Sequence, residues 1–179
     1  MSRASGERFA VRIVDDAAGC SDWAGLHSLL IASFAYMDGR IDPPSSLKRM
    51  SPETLAAKAR DETLIVAEAA DGTLAGCGFL AETTETIYLG KLAVAVQWRR
   101  RGVLRAMIAA ADAVACQRGK DWLELQTRVE LIENHATFAA LGFEKVGETA
   151  HPGYDRATSI TMRRPVDAGR SAGDARAGG

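Results

Sequence analysis

The chain has 179 residues, 47% apolar and 25% charged, with a formal net charge of −1. That length suits one compact domain, and the composition is that of an ordinary soluble globule. A near-neutral balance supplies no global field for nucleic acid or an anionic membrane, so neither is expected as a partner.

Residues 1–8 read as a flexible N-terminus, and Met1 to Glu7 lacks the apolar core of a signal peptide. Phe9 to Val14 alternates and predicts a first strand. Ser21 is placed to cap a helix from about Asp22 to Met37, with Trp23, Leu26, Leu29, Leu30 and Phe34 on its apolar side and Asp38-Gly39 ending it. Asp42-Pro43-Pro44-Ser45-Ser46 cannot continue a helix. Ser51-Pro52-Glu53 restarts one, with Ser as cap and Pro in the first turn. Leu64 to Ala69 and Leu74 to Leu80 pair across the Asp71-Gly72 turn. A strand over Ile87–Val96, a helix over Val103–Cys116, a strand over Trp122–Thr127 and a helix over Glu133–Leu141 follow. Strands at Glu144–Thr149 and Ser159–Met162 complete a mixed sheet in an α/β fold. Residues 165–179, Ala, Gly, Arg and Asp without periodicity, read as a disordered tail, which leaves 9–164 as a single domain.

No apolar run reaches the length of a membrane span; the richest, Ala106 to Ala115, contains Asp112. Cys20, Cys77 and Cys116 give neither metal spacing nor a disulfide framework, and His27, His135 and His151 form no ligand motif. No metal is expected, a reducing cytoplasm is the expected compartment, and the cysteines read as small buried apolar side chains.

The most informative stretch joins the long strand to the helix after it through Gln97-Trp98-Arg99-Arg100-Arg101-Gly102. The first N–H groups of a helix have no internal partner and stand at the positive end of its dipole, so they bind anions. Gly102 removes a Cβ that would hold a ligand off the backbone, and arginines add charge-assisted hydrogen bonds to phosphate. No Gly-Lys-Ser/Thr follows, so this is not a P-loop, and a single glycine is not a dinucleotide fingerprint. A solvated basic turn opening an amphipathic helix is the alternative reading of the same residues.

The segment resembles the acyl-CoA-binding motif of the GNAT superfamily of N-acetyltransferases, Arg/Gln-x-x-Gly-x-Gly/Ala after a strand ending Leu-x-Val. Leu92-Ala93-Val94 closes the strand, and Arg99-Arg100-Arg101-Gly102-Val103-Leu104 fills the motif. Downstream, Glu133-Asn134-His135-Ala136-Thr137-Phe138-Ala139-Ala140-Leu141-Gly142-Phe143-Glu144 is similar to the family's late helix. In element order the resemblance spans about Phe9 to Arg164. It implies a mixed central sheet flanked by helices on both faces, whose two central parallel strands, Ile87–Val96 and Trp122–Thr127, splay apart around the pantetheine arm of acetyl-CoA. It implies cofactor contacts at Leu92, Ala93 and Val94, at Arg99 through Leu104 with Arg105 on the next turn, and at Asn134 and Phe138. Two positions depart from the pattern: Leu104 stands where a small residue is usual, and Phe138 where many members carry the Tyr that protonates the leaving thiolate.

Acetyl transfer to an amine needs a deprotonated amine, a donor for the developing oxyanion and a proton for the thiolate. By resemblance, backbone N–H groups at Leu92 to Val94 serve the oxyanion. Glu124 is the leading candidate base, on a strand beside the splay and facing away from Leu123 and Leu125, with Glu82 and Glu85 behind it; for each of them a merely solvated glutamate is the commoner case. Tyr154, in the His151-Pro152-Gly153-Tyr154-Asp155 turn, is the substitute acid or a plain loop tyrosine. Asn134 is a helix cap, a pantetheine ligand or both, and His135 is packed or exposed. Lys91 is a sheet residue or a contact for an acidic acceptor, and Trp98 packs beneath the loop or stacks on the cofactor's adenine. Acceptor contacts are expected from Ala35 to Met50, including Tyr36, Asp38, Arg40 and Asp42, and from His151 to Thr158. The implied function is acetyl-CoA-dependent N-acetylation of a small-molecule or protein amine. A catalytically silent acyl-CoA-binding sensor or interaction module is the alternative, and a homodimer is left open.

Overall fold

A computed structural model describes residues 8–20 and 22–169. Among these residues the strands are β1 (Phe9–Val14), β2 (Thr63–Ala69), β3 (Leu74–Glu82), β4 (Thr86–Val94), β5 (Trp122–Arg128), β6 (Glu144–Thr149) and β7 (Ser159–Pro165). The helices are α1 (Trp23–Phe34), α2 (Pro52–Lys58), α3 (Val103–Gln117) and α4 (Ile132–Ala140). The strands form one sheet in the order β1-β2-β3-β4-β5-β7-β6. Every neighbouring pair is antiparallel except β4 and β5, which run parallel. No described helix is long and apolar enough to cross a membrane.

Alternation along the strands divides the core in two. Leu64, Val66, Cys77 and Phe79 pack with Leu26, Leu30 and Leu55 of α1 and α2. Their neighbours Ile65 and Leu80 face the other way, packing with Ile87, Leu89, Leu123, Leu125 and α3 residues Ile108, Ala111 and Val114. Because β2 is covered on both faces, its Leu64-Ile65-Val66-Ala67 run is wholly buried. Burying each of Leu64, Ile65 and Val66 contributes about 1.5–3 kcal/mol.

The parallel pairing of β4 and β5 is short. It runs from Thr86↔Trp122 to Leu89↔Leu125 and stops. Beyond that point β5 pairs only with β7, as far as Arg128↔Ser159, while β4 stays on β3 up to Val94↔Gly76. The two central strands therefore part as the resemblance implied. A bulge accompanies the parting: Gly90 faces Phe79 and Ala93 faces Cys77, so Lys91 and Leu92 stand opposite Gly78 alone. Lys91 takes φ +52 there. The glycines of β3 make room for the bulged strand. A Cβ at Gly78 would lie 2.7 Å from Leu92 Cδ2, and one at Gly76 2.8 Å from the Ala93 carbonyl oxygen.

Several boundaries differ from the sequence reading. Asp22 caps α1 by accepting from the Gly25 N–H; Ser21, the expected cap, lies outside the described residues. The last turn expected of that helix is a 3-10 turn, Ala35–Met37. β4 ends at Val94, two residues early, because Val96–Trp98 winds into a 3-10 turn. Asn134 is not a cap: Leu131 occupies that position, and Asn134 lies within α4. Ser51 does cap α2, in a reciprocal capping box with Thr54.

The expected tail boundary at 165 falls too early. β7 runs through Pro165, the Val166 N–H donates to the Asp121 carbonyl at 2.9 Å, and the Asp167 N–H donates to Asp112 Oδ1 at 3.1 Å. The remainder of that tail, 170–179, lies outside the described residues, as do 1–7 of the expected N-terminal segment. Asp112, buried in the middle of α3, is ion-paired with Arg164 of β7, which pins the helix to the far half of the sheet.

Candidate active site

The parted strands open a cleft of about 920 Å³. β4 and β5 form its inner walls, and the start of α3, the side of α4 and the end of α1 complete it. Leu92, Ala93, Val94, Arg99, Arg100, Gly102, Val103, Leu104, Arg105, Asn134 and Phe138, all expected at a cofactor, line this cleft. Arg101 does not; its guanidinium lies over the Trp98 ring, 5.3 Å from the centroid. Trp98 is buried beneath the loop, edge-on to Phe9.

The start of α3 has the geometry of an anion site. Gly102 precedes the helix with φ +82, a conformation that suits glycine, and provides no side-chain cap. The first helical hydrogen bond runs from the Ala106 N–H to the Gly102 carbonyl at 3.0 Å. The N–H groups of Val103, Leu104 and Arg105 therefore precede it, and all three residues line the cleft. Leu104 is partly buried against the α3 core, so the bulky departure from the family pattern turns toward packing. Arg99 fastens the loop, donating from Nη2 to the Ser33 carbonyl at 3.3 Å and from Nε to the Val94 carbonyl at 3.4 Å.

Across the cleft, Asn134 Nδ2 donates to the Tyr36 hydroxyl at 3.0 Å, bracing α4 against the end of α1. The guanidinium groups of Arg40 and Arg99 lie 5.7 and 5.9 Å from the centre of the Tyr36 ring. Among the described residues it is the one phenol in the cleft wall. Phe138 packs edge-on against Phe143 at 6.0 Å and presents only carbon to the cleft.

The catalytic candidates read from the sequence are not brought to this cleft. Glu124 faces Tyr88 in the ladder, before the strands part, and is ion-paired with Arg163 of β7. Glu82 is bound by Lys120 at 2.9 Å and Arg118 at 3.7 Å, and neither it nor Glu85 lines the cleft. Tyr154 lies outside the cleft, donating to Asp42 Oδ1 at 2.6 Å. That hydrogen bond, chiefly, raises its phenol above the ordinary value. The carboxylate that does line the cleft is Glu133, engaged by Arg40 at 2.6 Å. Its own backbone N–H at the start of α4, then Arg40, hold it below the usual range.

Two cations missing from the expected cofactor set also line the cleft. Lys91, raised on the bulge, donates from Nζ to Ser46 Oγ at 2.8 Å; burial, then the like charge of Lys58, pushes its amine down. Arg128 ends β5 with 12% of its side chain exposed. Its carbonyl is tied to His135 Nε2 at 2.8 Å, and so His135 is a packed residue. From sequence Lys91 reads first as a sheet residue, and Arg128 is absent from the expected site residues. The signal available for Arg128 was its position at the open end of a strand expected to splay.

Comparison with known proteins agrees with this geometry. A family model described as an acetyltransferase (GNAT) domain matches residues 60–145, from before β2 through α4 into β6. No functionally curated protein sequence matches the chain. Among solved structures, the PaiA N-acetyltransferase of Thermoplasma acidophilum in complex with coenzyme A superposes with a TM-score of 0.70 at 15% identity, over 87% of this chain and 99% of that one. The ribosomal-protein-S18-alanine N-acetyltransferase of Escherichia coli gives 0.60 at 17% identity, over 89% and 94%. Nourseothricin acetyltransferase gives 0.55 at 24% identity, over 60% and 67%.

Proposed function

Because the chain belongs to the GNAT superfamily of acetyltransferases, we propose that it moves an acetyl group from acetyl-CoA to a primary amine of a small molecule or a protein. The observation that carries this reading is the uncapped start of α3, opening behind Gly102 onto the cleft between the parted strands. A diphosphate matches the three N–H groups of Val103, Leu104 and Arg105 and the helix dipole behind them. Arg100 and Arg105 add cationic donors on the same wall. The stretch of the cleft wall at Leu92 and Phe138 is apolar and matches an acyl-pantetheine chain, with Asn134 beside it.

Acetyl-CoA supplies a thioester carbonyl that an amine can attack. The nitrogen forms a bond to the carbonyl carbon, the carbon–sulfur bond breaks, and the proton lost by the amine ends on the thiolate. Backbone N–H groups on the bulged stretch Leu92–Val94 are assigned to the developing oxyanion, where fixed dipoles need no reorganisation. Phe138 has no proton to give, so the acid role passes to Tyr36, the phenol of the cleft. The structure offers Glu124 and Tyr154 no access to the cleft, so neither is assigned a role.

The test is thiol release across a panel of amines, beside acetyl-CoA binding by calorimetry. The reading expects submillimolar binding and turnover of at least one amine, with Tyr36→Phe lowering kcat roughly 10²- to 10⁴-fold, the range for a positioned acid. Binding without turnover of any acceptor would instead identify a silent acyl-CoA-binding module.

A further inference from the structure

Arg128 stands out in the cleft wall. Its Nε and Nη2 are buried, and among the described residues neither has a hydrogen-bond partner. A buried guanidinium normally satisfies those donors, because leaving them bare costs desolvation with no return. The nearest acidic oxygen, Glu130 Oε2, is 3.9 Å from Nε, beyond hydrogen-bond reach. The other oxygen of Glu130, Oε1, accepts from the Asp42 N–H at 3.3 Å and lies 3.8 Å from Arg156, while Oε2 is buried without a hydrogen-bond partner among the described residues and stands opposite Arg128 as a long-range ion pair only. The two vacant donors are the Nε and Nη2 pair, the guanidinium edge that receives both oxygens of one carboxylate side by side.

Position narrows the ligand. Glu124 and Arg128 share one face of β5 by alternation, opposite the Leu123 and Leu125 that pack toward α3. Arg128 thus faces the segment after α1 that carries Asp42, away from the start of α3. Across the opening, Lys91 adds a second positive charge from the bulge of β4, directed toward Ser46 of the same segment. The carboxylate in the cleft wall, Glu133, is already engaged by Arg40. This end of the cleft therefore carries two cations, Lys91 and Arg128, the second with two hydrogen-bond donors still unmet among the described residues, that a phosphate seated at α3 does not use.

We propose that the vacant edge of Arg128 docks a carboxylate carried by the acceptor, so that the site takes amines of the amino-acid class in preference to amines without an acid group. The proposal rests on the transferase reading for its chemistry but not for its binding step. The fork fixes the carboxylate end, and the amine end is then presented toward the bulge where β4 and β5 part.

Matched pairs of amino acids and their decarboxylated amines, such as lysine with cadaverine and phenylalanine with phenethylamine, are offered to the full-length protein. Turnover is read as thiol release with saturating acetyl-CoA, and binding as calorimetric affinity for the protein loaded with CoA. The carboxylate member of the accepted pair should show the lower KM and the tighter binding. Arg128→Gln should raise its KM and Kd roughly 10- to 100-fold, the loss expected for hydrogen bonds to a charged group. Arg128→Lys should recover part of that loss, and acetyl-CoA affinity should hold in both variants. Retained folding is checked by thermal melting, and Arg128→Lys keeps the test open should Arg128→Gln misfold. Turnover of amines with no advantage for the carboxylate member overturns the proposal and leaves the transferase reading standing. Arg128-dependent carboxylate binding without turnover does the reverse. Loss of acetyl-CoA affinity in both variants overturns it differently, by assigning Arg128 to a pantetheine carbonyl. Neither binding nor turnover of any pair overturns both.

Discussion

Gly102→Asp is the sharpest perturbation of the anion site, because its effects on folding and on binding separate. Gly102 has φ +82, and a Cβ there meets nothing within 4 Å. The substitution therefore costs backbone strain without a clash, about 1–2 kcal/mol for a left-handed L-residue. For a domain of this size that lowers Tm by about 2–8 °C, at about 2–4 °C per kcal/mol. The new carboxylate stands beside the N–H groups of Val103 to Arg105, where the diphosphate is assigned. At about 6 Å and an effective dielectric of about 20, one pair of like charges repels by about 3 kcal/mol. Losing one hydrogen bond to a charged group adds about 1.5–3 kcal/mol. Together these correspond to a loss of about 10³- to 10⁴-fold in affinity for acetyl-CoA. Gly102→Ala is the control, with the same strain and a similar fall in Tm but no new charge, and its affinity should fall less than about tenfold. Titration calorimetry and thermal melting on the three proteins decide it. A folded Gly102→Asp protein that binds acetyl-CoA with wild-type affinity would refute the assignment.

Three further outcomes follow from the packing. Asp112→Ala leaves Arg164 buried without its carboxylate, so unfolding free energy should fall by about 3–5 kcal/mol, read by urea denaturation; an undiminished midpoint would show that the α3–β7 ion pair is not structural. Gly76→Ala drives a Cβ to 2.8 Å from the Ala93 carbonyl and 2.9 Å from Met107 Sδ, and should cost about 1–3 kcal/mol as overpacking, while alanine at Gly147, where a Cβ meets nothing within 4 Å, should cost less. The third concerns acid. Hydrogen bonding to Arg12 holds the Glu68 carboxyl below its ordinary 4.5, so its stabilisation is present above the unfolded value and is lost as pH falls through the lower folded one. Melting temperature against pH should accordingly be flatter below 4.5 in Glu68→Gln than in wild type, and superimposable profiles would remove this pair from the acid response.

Local chemistry wrote much of the fold into the chain. Alternation marked β1, Asp71-Gly72 marked the β2–β3 hairpin, and Ser51-Pro52 marked the start of α2, since each depends on neighbours within a few residues. The Arg99–Gly102 turn was legible for the same reason: its role follows from what a helix start does to its own first N–H groups. The partners that side chains take around the cleft were not. Glu124 sat on the expected strand beside the expected splay, yet the ladder partner supplied by β7, Arg163, claims its carboxylate. Tyr154 lay in a loop that could have folded over the cleft, yet its hydroxyl is bound to Asp42, 112 residues away. Tyr36 and Asn134 meet across 98 residues, and Arg128 keeps vacant donors because the nearest oxygen of Glu130 stands 3.9 Å off. A strand period tells which face a side chain takes. Which partner waits on that face depends on contacts distant in sequence, and those only the tertiary structure decided.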